Sequence, residues 1–242
     1  CHRWDSGGGG APLAAGEVAL TRDEKEMGVV LADIGGGTTD VAIFKNGSLW
    51  YASVIPVGGY QLTRDLSIAF SLPSSVAEDL KIKWGYALPE ALEETEEITL
   101  PAVPGHPSRS LQRREFCQPL YERLTELLRL VLYKVRQAGL ERTPPAGLVL
   151  TGGSASLMGL DELTRRLVPS PMRIGQPRGI PGLPSELKKP AFSTSVGILL
   201  WGIKHHGERR NYRDGERSTL ASRGLFHWPR KTAQLASPVH SE

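Results

Sequence analysis

The sequence predicts an α/β fold, and three features do so together. Apolar stretches of strand length at Val29–Ile34, Val41–Phe44 and Ser48–Ile55 succeed one another with turn residues between them. From Ser110 to Leu140, Phe116, Leu120, Leu124, Leu127, Val131 and Val135 recur at spacings of three and four, the stripe of an amphipathic helix. A further apolar strand, Gly147–Thr151, then runs into a glycine pair and a second, shorter helix. Strands and helices that alternate in this way pack as a sheet covered by helices.

The first three strands form a meander. Asn46-Gly47 joins the second to the third, because both residues tolerate the positive φ of a two-residue hairpin turn. Residues 59–70 and 74–84 are expected to be helical. Ser74-Ser75 supplies the N-terminal cap region of the second helix, and Gly85 its end. The stretch 86–110 is rich in proline and acidic residues (Glu93, Glu94, Glu96, Glu97) and is expected to form a small loop-rich subdomain. After the long helix and the 147–151 strand come a helix at 157–167, a strand at 172–174, a Pro/Gly-rich loop at 175–190 and a last helix at 193–204. The opening Cys1-His2-Arg3-Trp4-Asp5-Ser6 and its glycines look like a truncation edge or scar, so residues 1–11 are set apart as disordered. Beyond residue 206 the apolar periodicity stops, and 207–242 is expected to be a flexible tail.

Composition excludes several classes. Of 242 residues, 40% are hydrophobic and 23% charged, an ordinary globular balance, and the net charge is only +3. No dense Lys/Arg stripe crosses the body of the chain, which argues against a nucleic-acid partner. Two cysteines, Cys1 and Cys117, make no disulfide framework, and a reducing cytoplasm is the expected setting. No apolar run reaches the roughly 18 residues of a membrane span.

The sharpest motif is Asp33-Ile34-Gly35-Gly36-Gly37-Thr38-Thr39-Asp40, set between two strands. It lacks the Gly-Lys-Ser/Thr of a Walker loop and the third glycine of a dinucleotide fingerprint. Its chemistry is that of a phosphate-binding hairpin. Three glycines let backbone N–H groups approach phosphate oxygens, Thr38 adds a hydroxyl, and Asp33 stands at its strand's end where it can hold Mg²⁺ through water. Asp40 is expected to brace the turn by accepting backbone N–H bonds, leaving Asp33 as the one carboxylate on the strand side. A plain tight turn is the competing reading. Two weaker motifs follow. Thr151-Gly152-Gly153-Ser154 closes a strand with glycines that either admit a ligand or simply pack. Glu78 and Lys81 lie three apart on one helix, where a solvated ion pair is the ordinary reading.

The order of these three motifs resembles the second half of the actin, heat-shock-chaperone and MreB superfamily. Within it the wording is similar to the FtsA family of bacterial cell-division proteins. The stretches that carry the likeness are Gly28–Gly37, Val54–Gly59, Ala77–Lys81, Leu148–Ser154 with Gly159-Leu160, Arg173–Gly175 and Ser193–Gly197, over residues 12–206. The resemblance implies an actin-like, ribonuclease-H-like ATPase fold, second half, with a small inserted subdomain: a core of 12–85 and 111–206, and the subdomain at about 86–110. It implies ATP and Mg²⁺ as cofactors. Asp33, Gly35, Gly36, Gly37, Thr38 and Asp40 would be the second phosphate loop, Glu78 and Lys81 the ribose and adenine contacts, and Gly152, Gly153 and Ser154 the adenosine loop. It further implies FtsZ as partner, self-association into filaments, and a place on the inner face of the cell membrane at the division site, reached through an amphipathic anchor near Leu220–Lys231. At most a weak ATPase is implied. The first-half phosphate loop of the superfamily does not occur in this sequence, so one half of the nucleotide grip is expected here. Two readings stay open beside this one: another actin-like scaffold of MreB or pilus-assembly type, and a sugar kinase or hydrolase of the superfamily, since fold does not fix function.

Overall fold

The computed structural model describes residues 10–204. Of these, residues 10–201 form one compact unit. A five-stranded sheet runs in the order β3-β2-β1-β6-β7, with β1 Val29–Ile34, β2 Thr39–Lys45, β3 Ser48–Ile55, β6 Leu148–Thr151 and β7 Met172–Ile174. The first three strands are antiparallel, whereas β6 runs parallel to both β1 and β7. Asn46 and Gly47 turn the β2–β3 hairpin with φ of 52° and 74°, as their residue types require.

All six residues of β1 are buried, so both faces of the sheet are covered. On one face Val30, Ala32 and Ile34 meet the main core, which includes Leu62 and Leu66 of α3 (Gly59–Phe70), Leu80 of α4 (Ser74–Trp84) and Phe116, Leu120 and Leu124 of α5 (Arg113–Gln137). On the other, Val29 and Leu31 join Ala42, Phe44 and Val149 under Ala15 and Ala19 of α1 (Gly10–Ala19). Asp65 of α3 and Arg123 of α5 add a two-pronged ion pair at 2.6 and 3.0 Å.

Several expectations are corrected. Gly10 and Ala11 open α1, which has no polar stripe to reveal it: Pro12, Ala14, Ala15, Gly16, Val18 and Ala19 are all buried. A second helix, α2 (Arg22–Met27), buries nothing and so shows no apolar period. Its signal was the capping box, in which Thr21 and Glu24 each accept the other's backbone N–H. Burial alone would raise the Glu24 carboxyl. The two-pronged grip of Arg173 from β7 and the Thr21 N–H outweigh it and hold Glu24 below its ordinary range. Neither Ser74 nor Ser75 caps α4. Pro73 occupies the cap, its fixed φ of −55° setting the entry, and Ser74 is already helical. A 3₁₀ turn at Gly153–Ser156 precedes the helix expected at 157–167, which begins only at Leu160 as α6 (Leu160–Leu167). The loop-rich stretch holds a two-stranded sheet, β4 (Glu97–Leu100) with β5 (Arg109–Gln112). The last helix, α7, covers residues 193–204 as expected. Among the described residues no helix is long and apolar enough to cross a membrane.

Candidate functional site

The site grows from the turn between β1 and β2. Gly35 N–H donates to the Thr38 carbonyl at 2.9 Å and closes it. The carbonyls of Gly35 and Gly36 face the first turn of α3, where they accept the N–H groups of Gly59 (2.9 Å) and Tyr60 (2.6 Å). The Thr39 hydroxyl donates to Val57 O at 2.7 Å and completes the seam. With its carbonyls so occupied, the turn keeps donors spare: the N–H groups of Gly36, Gly37 and Thr38 have no acceptor among the described residues. A Cβ built on Gly36 or Gly37 would meet no protein atom within 4 Å. The protein's own packing therefore does not demand glycine at either position, and the open space beside the turn suits an anion.

Beside the turn opens a cleft of about 720 Å³ between α3, α4 and the loop after β6. It brings together Gly35, Gly36, Glu78, Lys81, Gly153 and Ser154. Its mouth carries the exposed apolar side chains of Tyr60, Ile82 and Met158. Asp33, Gly37, Thr38, Asp40 and Gly152 lie outside its lining. Gly152 packs instead directly on Asp33 and Ile34 of β1. The Ser154 hydroxyl donates to Gly35 O at 3.4 Å and links the two loops.

Glu78 and Lys81 are not a solvated pair. The Lys81 side chain is only 11% exposed, against 43% for Glu78. Its ammonium donates to Glu78 Oε2 (2.7 Å), Thr63 Oγ1 (2.9 Å) and Gly59 O (3.2 Å), which matches its three protons. Thr63 also donates to Glu78. Burial would raise the Glu78 carboxyl, but the bonds from Lys81 and Thr63 outweigh it and hold Glu78 below its ordinary value.

Asp33 and Asp40 face each other. They are register partners across the antiparallel pair, because a hairpin sets the residue before its turn beside the residue after it. The expectation of a single carboxylate on the strand side is corrected accordingly. Asp40 also braces nothing: no hydrogen bond reaches its carboxylate from the described residues. Burial raises both carboxyls; the Thr194 hydroxyl, donating to Asp33, partly offsets this, while the charge of Asp33 raises Asp40 further. Thr151, the register partner of Asp33 on β6, meets the Ser193 hydroxyl at 2.7 Å. Residues 193 and 194 thus hold the start of α7 against the ends of β1 and β6. Sequence reading gave no site role to Gly58, Thr63, Ser193 or Thr194. The Gly58-Gly59 pair ahead of a helix and the Ser193-Thr194-Ser195 run at the start of another were the available signals.

A glycine hairpin docked on a helix start, on a sheet where three antiparallel strands continue into parallel ones, is an actin-like fold. Solved structures agree on the fold. MreB5 of Spiroplasma citri bound to ADP matches with a TM-score of 0.61 at 20% identity, over 83% of this chain and 60% of that one. A chain of the PilM–PilN type IV pilus biogenesis complex matches at 0.57 and 22% identity, over 80% and 52%. The sequence narrows this to one family: residues 30–197 match the family model of cell division protein FtsA. FtsA of Pseudomonas aeruginosa PAO1 is 40% identical over 196 residues, covering 81% of this chain and 47% of that protein. FtsA of Escherichia coli K12 is 41% identical over 203 residues, covering 81% and 48%. The chain belongs to the FtsA family, and it spans about half the length of the curated relatives it matches.

Proposed function

We propose that this chain forms one wall of an ATP site in an FtsA-type cell-division protein, which ties the FtsZ ring to the inner face of the cell membrane. The observation that carries the nucleotide reading is the row of three unpaired N–H groups on the glycine turn, beside a cleft whose rim holds the Glu78 carboxylate. Phosphate oxygens suit the donors, a ribose hydroxyl suits Glu78, and the Gly153-Ser154 loop offers a backbone edge to adenosine. The residues also fit Mg²⁺ held mainly by water and phosphate. Asp33 and Asp40 stand side by side next to the turn, and no group of three His, Cys, Asp or Glu able to cage a metal occurs among the described residues. The name of the family and the relatives' division role support the biological setting, as does the ADP seen in the MreB5 structure.

Calorimetric titration of the 242-residue chain with Mg-ATP tests the one-wall reading. Each charge-assisted hydrogen bond contributes about 1.5–3 kcal/mol. A site holding half of the phosphate contacts therefore loses several orders of magnitude in affinity, and binding is expected to be weak or undetectable by heat. Micromolar affinity would overturn this and point to a cleft completed within the chain or by a second copy.

The membrane role is assigned to Leu220–Lys231, which lies outside the described residues. There Leu225, Phe226 and Trp228 are flanked by Arg223, Arg230 and Lys231. Aromatic residues suit the interface, and each basic residue near an anionic surface adds about 1 kcal/mol. In flotation with anionic vesicles the intact chain is expected to rise, less so in high salt, and to carry added FtsZ with it. A version ending at Lys204 should stay below. If both versions stay below, the anchor is absent, and if the chain rises without FtsZ, the partner is wrong.

A further inference from the structure

We infer that Thr194 is a positioning residue, whose hydroxyl fixes the orientation of the Asp33 carboxylate and with it the site's hold on Mg²⁺. This rests on reading the glycine turn as the phosphate wall of a nucleotide site. Asp33 stands in the central strand, with Asp40 as its register partner on β2 and Thr151 on β6. Neither of these neighbours bonds to its side chain. Asp40 is a second carboxylate, and the Thr151 hydroxyl is engaged with the Gly175 carbonyl at 3.0 Å and with Ser193 at 2.7 Å. The one hydrogen bond that the described residues give the Asp33 carboxylate comes from Thr194, 161 positions along the chain, whose hydroxyl donates to Oδ2. The other oxygen, Oδ1, lies over Gly152, where an added Cβ would come within 2.4 Å of it.

Thr194 is delivered by a helix start that is itself fixed. Ser193 ties it to Thr151 at the end of β6. One turn on, Gly197 packs so closely on α1 that an added Cβ would lie 1.9 Å from the Ala14 carbonyl. Asp33 is only 8% exposed, and a carboxylate so enclosed needs a donor to keep its charge. With one oxygen tied to Thr194, the plane of the carboxylate is set, and its remaining lone pairs keep a fixed direction. A carboxylate that serves a metal depends on such outer bonds, and losing one commonly costs about 10–100-fold in metal affinity. Without the hydroxyl, Asp33 has no donor and a like charge beside it, and it is expected to turn away from Asp40.

The test is NMR on the full chain as wild type, Thr194→Val and Thr194→Ser. Valine keeps the shape of threonine without the hydroxyl, and serine keeps the hydroxyl. The carboxyl ¹³C signals of Asp33 and Asp40 are read without ligand. The amides of Gly36, Gly37 and Thr38 are then titrated with ATP in Mg²⁺ and, separately, with ATP in EDTA. Thr194→Val is expected to move the Asp33 carboxyl signal and to cut the affinity gained from Mg²⁺ about tenfold, with the affinity in EDTA unchanged. Thr194→Ser should match the wild type in both. Thr194→Ala takes the place of Thr194→Val if that variant does not fold. An unmoved Asp33 signal in the folded variant overturns the inference, and so does a full gain from Mg²⁺. An equal loss in EDTA overturns it too, because the damage is then general, as does a serine variant that behaves like the valine one. If neither form of ATP moves a turn amide in the wild type, the nucleotide reading fails, while the carboxyl signals still decide whether Thr194 sets Asp33.

Discussion

Gly152→Ala is expected to lower the melting temperature by on the order of 10 °C. Two costs act together. Gly152 has φ 90° and ψ 170°, a region that essentially only glycine occupies, and forcing a Cβ into it costs about 1–3 kcal/mol. The new Cβ would also stand 2.4 Å from Asp33 Oδ1 and 2.5 Å from the Ile34 carbonyl, where overpacking adds roughly another 1–3 kcal/mol. Neither neighbour can retreat. Ile34 is fully buried in the central strand, and Asp33 is held by the Thr194 hydroxyl. Gly153→Ala is the control, since its Cβ would come no nearer than 4.0 Å to Ala191. Thermal melts followed by circular dichroism make the comparison. A Gly152→Ala protein that melts beside the wild type would show that β6 and β1 are not locked at this point.

Gly58→Ala is expected to abolish the phosphate response of the glycine turn while leaving the protein folded. Its φ of −157° is ordinary extended backbone, so the residue's own conformation is not strained. The cost is contact: a Cβ there would lie 2.7 Å from Gly35 O and 2.9 Å from both Gly36 O and Thr38 N, all of them backbone atoms of the turn. Relief requires the turn and the start of α3 to part, which breaks the bonds from Gly59 and Tyr60 and disperses the three donors. The stability loss should be about 2 kcal/mol, a fall of roughly 5 °C. NMR titration with phosphate should show the Gly36, Gly37 and Thr38 amides unmoved. A Gly58→Ala protein that answers phosphate like the wild type would mean that the donors, if they bind anions at all, do not depend on this seam.

The strands and long helices were legible in the sequence because their cause is local. Ser48–Ile55 and Gly59–Phe70 begin and end where their residue pattern says they do, since alternation, helical spacing and turn residues act within a few positions. α1 and α2 were not legible for the opposite reason. One carries a single charged residue, Glu17, and the other a single apolar one, Met27, so neither carries a period.

The site divides the same way. Three glycines between two strands announced a turn able to cradle phosphate, because that property belongs to the glycines themselves. Which atoms the turn would show to a ligand depended on α3, whose first N–H groups take the Gly35 and Gly36 carbonyls, while the N–H groups of Gly36, Gly37 and Thr38 keep no acceptor among the described residues. Spacing put Glu78 and Lys81 on one helix face. The lysine's burial and its full set of partners came from Gly59 and Thr63, on a different helix. Gly152 looked like a ligand contact until β1 was placed against it, and Asp40 looked like a brace until the hairpin register set it opposite Asp33. Residue type and short-range pattern were enough to say that a glycine turn and its flanking strands exist. The direction of each donor and the partner of each charge followed only from segments far apart in the chain, brought together by burying the two faces of one sheet.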